Sequence, residues 1–91
     1  MTQTTENETT SEQSDEPREL YVIAAEIKED WKPPYFGAVP YIRALACLTR
    51  LSDSYGDQDA DEIVMYFLSN ARTWRGETAK RIKAELREMI K

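Results

Sequence analysis

LYVIAAEIKEDWKPPYFGAVPYIRALACLTRL, residues 20–51, is the stretch that decides the fold. Leu20, Ile23, Ala24, Ile27 and Trp31 recur at spacings of three and four, which places them on one buried face of a helix. Upstream, Asp15, Glu16 and Pro17 supply a capping side chain, a first-turn acid and a pre-set φ, so the helix is expected to begin there. Lys32-Pro33-Pro34 stops it, because proline disfavours helical geometry in the residue before it and lacks a donor N–H. An extended link over residues 33–38 then carries two adjacent aromatics, Tyr35 and Phe36. Val39-Pro40 starts a second helix whose stripe is Tyr41, Leu45, Leu48 and Leu51, widened by Ile42 and Ala44. Arg43 and Arg50 are expected to face solvent. Tyr55-Gly56 closes this segment, with the glycine in a left-handed conformation.

Farther along, the acids of Asp57-Gln58-Asp59-Ala60-Asp61-Glu62 lie where the positive end of a third helix favours them. Ile63, Val64, Phe67, Leu68 and Ala71 extend that helix. Met65 and Tyr66 make it apolar around much of its circumference, so it is expected to be the most buried of the helices. Residues 71–76 form a turn containing Trp74. A last helix covers residues 77–91, with Ala79, Ile82, Leu86 and Ile90 inward. The expected architecture is all-α, a compact bundle of about four helices over residues 17–91.

Residues 1–16 are rich in Thr, Glu, Ser and Gln and hold almost no apolar side chain. Such a segment cannot bury enough surface to offset its ordering entropy, which predicts a disordered acidic tail. It serves as a solubilising leader or as an acidic decoy for a basic partner. Residues 1–30 carry nine acids and two bases, whereas residues 31–91 carry eight acids and ten bases. The overall charge of −5 argues against a generic nucleic-acid coat protein. With no basic, apolar leader and no apolar run near the roughly 20 residues of a membrane span, the expected location is the cytoplasm. The Asn7-Glu8-Thr9 sequon has no consequence there.

The absence of histidine excludes imidazole catalysis, His-based triads and His-ligated zinc. Asp57-x-Asp59-x-Asp61 suggests a calcium loop, but Glu62 and Leu68 occupy the places of the required glycine and glutamate. The acids read instead as helix caps. Cys47, the only cysteine, reads as a small hydrophobe in mid-helix. No glycine-rich phosphate loop is present, so no enzyme, metal or cofactor is expected.

Two binding surfaces are legible. Tyr35 and Phe36, on a stiff Pro-Pro segment, suit a hot spot for a protein partner. The other reading takes Tyr35 and Phe36, together with Trp31, Tyr41 and Trp74, as filling a thin core and bracing the proline link, and core packing is the favoured one for a domain this small. Lys80, Lys83, Arg87 and Lys91 step by three or four along the last helix, with Arg72 and Arg75 just before it, forming a basic face for an acidic protein or for phosphates. The alternating Glu77, Arg81 and Glu85 read as a solvated face with pairs inside the helix. A helix-turn-helix reading is weakened by the opening Glu77-Thr78-Ala79, which would set an acid against phosphate.

Tyr35-Phe36-Gly37-Ala38-Val39-Pro40-Tyr41, Tyr55-Gly56, Tyr66-Phe67-Leu68-Ser69-Asn70-Ala71 and Trp74-Arg75-Gly76-Glu77 resemble small uncharacterised helical proteins of tailed bacteriophages and prophages. The resemblance covers about the last two-thirds of the chain. It implies the cytoplasm of a bacterial host and binding of a host or phage protein, such as an enzyme or a defence system, and carries over no site residue. The expected function is therefore non-enzymatic modulation of a protein partner through Tyr35, Phe36, Arg72, Arg75, Lys80, Lys83 and Arg87. Nucleic-acid binding by the basic face is the alternative, and a structural homo-oligomer the second.

Overall fold

A computed structural model of the protein describes residues 17–91. The expected tail, and the helix-start residues Asp15 and Glu16, lie outside the described residues. Those described form a mostly helical unit: α1 (Leu20–Asp30), a 3₁₀ turn (Phe36–Ala38), α2 (Val39–Leu45), strands β1 (Ser54–Tyr55) and β2 (Gln58–Asp59), α3 (Ala60–Ser69) and α4 (Glu77–Met89).

The predicted face of α1 is the one that is buried: Leu20, Ile23, Ala24 and Ile27 are inaccessible to solvent, and Trp31 almost so. This helix packs on both α2 and α4. Its beginning differs from expectation, since Pro17 lies outside it. Glu19 occupies the N-cap position with no side-chain cap. The exposed first-turn donors find partners elsewhere in the fold: Leu20 N–H donates to the Thr49 carbonyl and Tyr21 N–H to that of Leu48, each at 2.9 Å.

Those same bonds accompany the early end of α2. Its apolar stripe continues to Leu48 and Leu51, yet the helix stops at Leu45, and Cys47 and Leu48 donate to carbonyls only three residues back. Carbonyls of the chain beyond are turned towards α1, and Asp53 accepts hydrogen bonds from the backbone N–H groups of Thr49 and Arg50, at 3.1 and 3.0 Å. Leu48 remains buried, but Cys47 is exposed instead of packed within a helix, because the chain turns outward there. Arg50 and then Thr49, donating to it, hold the Asp53 carboxyl below its ordinary pKa.

Gly56 has the expected positive φ, +62°, but it serves a hairpin instead of a helix end. Ser54 pairs with Asp59 and Tyr55 with Gln58, antiparallel, so a small two-stranded sheet departs from the all-α expectation. With Asp59 in a strand and at the α3 N-cap, its side chain makes no cap hydrogen bond. Only Asp61 and Glu62 act as first-turn acids. The α3 helix is buried along one face, Ala60, Ile63, Val64 and Phe67, while Met65 is 51% exposed and Tyr66 is also outward. The expectation of burial around the circumference fails because α3 packs mainly on α2 and leaves its opposite face to solvent.

Residues 70–76 form the predicted turn, and Trp74 inserts from it into the core. Its ring stacks on Trp31 with centroids 5.5 Å apart and planes at 10°. Phe67 meets both indoles edge-on, at 6.4 and 6.2 Å. The Trp74 Nε1–H donates to Asp30 Oδ2 at 2.8 Å, which satisfies the one polar group that burial would orphan. Ala79, Ile82 and Leu86 of α4 complete the core, and Ile90, just past the helix end, is only half-buried.

Trp74→Ala removes the stack, the edge contacts and the Asp30 bond together. It is expected to lower unfolding free energy by about 3–5 kcal/mol, read from urea denaturation; a loss below about 1 kcal/mol would remove Trp74 from the core.

Candidate functional site

The link between α1 and α2 combines stiffness with exposed aromatic surface. Its Lys32–Pro33 peptide is cis, and Pro33 and Pro34 present no N–H. The residues that follow turn into the 3₁₀ helix, so the link is extended only over its first half. Phe36 is 80% exposed and Tyr35 44%, with ring centroids 4.9 Å apart. Gly37 is required by this arrangement: a Cβ there would stand 2.5 Å from Tyr35 Cε2 and 3.0 Å from Asn70 Oδ1. The Tyr35 ring therefore lies against the backbone of its own turn and faces the end of α3. Tyr41 and Tyr66 approach each other at 5.7 Å nearby.

Two depressions flank the link. On one side Tyr35 joins Ser69, Asn70, Arg72 and Thr73 around a shallow cleft. On the other, a groove of about 400 Å³ has a floor of Trp31, Pro33, Pro34, Val39 and Ile42. Its rim carries Lys28, Lys32 and Arg43, and no carboxylate among the described residues lines it. Arg43 is exposed, as expected, and lines this groove together with Lys32 of the helix stop and Lys28. The four-residue spacing of Lys28 and Lys32 across the end of α1 is the signal that would have joined them to the link.

Six of the seven residues singled out from sequence fall into two groups. Tyr35, Phe36 and Arg72 gather at the link. Lys83 lies against Trp74, and Arg87 and Arg75 are near enough for their charges to repel its ammonium. Lys80 is exposed on α4 and belongs to neither cluster. Lys83 is half-buried: its Nζ donates to the Trp74 carbonyl at 2.6 Å and lies 6.0 Å from the centre of the indole. Burial first, then Arg87 and Arg75, push its pKa down. Among the described residues, Arg72, Arg75, Lys80, Lys83 and Arg87 form no ion pair, whereas Lys91 pairs with Glu88.

Arg81 and Glu85 do not pair within α4 as expected. Both reach across to the start of the domain, because α4 packs beside α1. Arg18 grips Glu85 with two parallel bonds, Nε–H to Oε2 at 2.9 Å and Nη2–H to Oε1 at 2.7 Å. Its Nη1–H donates to Glu26 Oε1 at 2.9 Å, and Glu26 also accepts from Arg81. Glu85 chiefly, with Glu26, raises the Arg18 pKa, and Arg81 followed by Arg18 lowers that of Glu26. These charges join elements of the fold and are not available to a ligand.

No group of three or more His, Cys, Asp or Glu among the described residues is placed to hold a metal ion. No helix among them is long and apolar enough to cross a membrane.

Glu26 has a lower pKa folded than unfolded, so its contribution is present above its unfolded pKa and is lost as pH falls through the folded value. Glu26→Gln should cost about 1 kcal/mol at neutral pH, in the range of exposed ion pairs, and should flatten the acid limb of stability against pH. An acid limb of unchanged slope in urea melts would show that the network adds nothing. Comparison of the chain with protein-family models, with curated proteins and with solved structures gives no match.

Proposed function

We propose that the protein is a non-enzymatic binding module whose partner is another protein, docked at the link between α1 and α2. One observation carries this reading: Phe36 is left 80% exposed beside Tyr35, on a segment stiffened by two prolines, in a domain that buries its other large link aromatic, Trp31. An exposed aromatic pair on a rigid support loses little conformational entropy on binding, the property of interface hot spots. Arg72, unpaired among the described residues and beside Tyr35, adds the residue type most often found with such aromatics. The resemblance to phage and prophage proteins supports a host or phage protein as the partner, modulated in the bacterial cytoplasm.

A second reading rests on Arg75, Lys83 and Arg87, whose charges repel one another at Lys83 and which form no ion pair among the described residues. This cluster suits a nucleic-acid phosphate, with affinity falling steeply as salt rises. Two facts rank it second. Lys83 already donates to the Trp74 carbonyl, and the chain as a whole is anionic.

Tyr35→Ala with Phe36→Ala separates the two. Stability should change by no more than about 0.5 kcal/mol, since both rings are exposed. The tagged wild-type chain should retain one protein from bacterial lysate with or without nuclease, and the double variant should lose it. Retention by the variant removes the link as the docking site, and loss of every partner after nuclease moves the function to nucleic acid.

A further inference from the structure

The groove between α1 and α2 shares no lining residue with the cleft that Arg72 lines. Its floor is apolar, from Trp31, Pro33, Pro34, Val39 and Ile42. Trp31 and Ile42 are 9% and 3% exposed, so they offer edges instead of whole faces. The two prolines contribute no N–H, so this stretch of backbone cannot recognise a ligand by donating to it. Polar recognition falls to the rim, and there the sign of charge is uniform: Lys28 from α1, Lys32 just after it, and Arg43 from α2. Among the described residues neither Lys28 nor Arg43 forms an ion pair, and Lys32 has only a loose exposed contact with Glu29 at 3.5 Å. Such an exposed pair is readily exchanged for another carboxylate.

We propose that this groove receives an apolar side chain from an acidic segment of the partner protein, with Lys28, Lys32 and Arg43 engaging the carboxylates that flank it. The inference rests on the protein-binding reading and names the chemistry of the partner. Charge complementarity selects the anion, and the apolar floor selects a segment that carries at least one leucine- or phenylalanine-like side chain. Single-stranded nucleic acid fits poorly. It needs an exposed aromatic plane for a base, and the groove's one aromatic, Trp31, is buried and stacked on Trp74. A free alkyl chain also fits poorly, because sites for small ligands enclose most of the ligand and this groove stands open to solvent.

The test uses the full chain, labelled for backbone amide spectra, and a synthetic peptide of glutamates around one central leucine. Amides of residues 28–43 should shift on titration. Replacing the leucine by serine should weaken binding about tenfold, as should Lys28→Glu with Arg43→Glu in a chain of unchanged melting temperature. The milder Lys28→Gln with Arg43→Gln gives the same comparison if charge reversal disturbs the fold. Equal affinity for the leucine and serine peptides overturns the proposal, since only charge would then be read. So does tighter binding of oligothymidylate or decanoate than of the leucine peptide. Failure of the peptide while Tyr35→Ala with Phe36→Ala still abolishes capture of a protein removes this inference and leaves the protein-binding reading standing. Failure of both removes the reading as well.

Discussion

The stack of Trp31 on Trp74 is the contact on which the remaining structure depends. Trp31 ends α1 and Trp74 sits in the turn before α4, so one face-to-face contact joins the first helix to the approach of the last. Phe67 of α3 closes the triangle edge-on to both rings. The end of α1, the helix α3 and the turn that follows it thus share one aromatic cluster inside a single continuous core. The polar atoms at its border are satisfied by Asp30 on the indole N–H and by Lys83 on the Trp74 carbonyl. With Trp31 held in this way, the chain leaving it has to pass over the surface, where Pro33 and Pro34 carry it to the exposed aromatic pair.

Side-chain periodicity made much of this legible. The spacing of Leu20, Ile23, Ala24 and Ile27 located a buried face, the double proline located a helix end, and Trp74 stood out in a glycine-bounded turn. What escaped were decisions made by backbone groups. Leu48 and Leu51 continue the stripe of α2 faithfully, yet the helix ends at Leu45 while the chain beyond it bonds to α1 and Asp53. Cys47 was misread for that reason. The hairpin escaped because two residues per strand are too few to display an alternating pattern.

The candidate site was legible as residue types and not as geometry. Tyr35 and Phe36 stand out in sequence on their rigid support, but residue type alone favours the core for both, and both are exposed. The charges were harder, because a cation on a helix looks the same in sequence whether it faces a carboxylate from another element or faces water. Arg81 and Lys80 are neighbours, yet one joins α4 to Glu26 of α1 and the other is exposed. Only the packing of α4 beside α1 separates them. The same difficulty hid Lys28 and Arg43, which meet across a groove from two helices.

The hydrogen bonds from Leu20 and Tyr21 to the carbonyls of Thr49 and Leu48 carry a further consequence. A helix with a side-chain cap owns its first turn, and can hold that turn while the remainder of the protein breathes. The first turn of α1 instead belongs jointly to a strand of chain nearly thirty residues away. Local opening of the segment after α2 must therefore release α1 amides to solvent at the same moment. Exchange of the Leu20 and Tyr21 amides is thereby coupled to opening of the segment after α2.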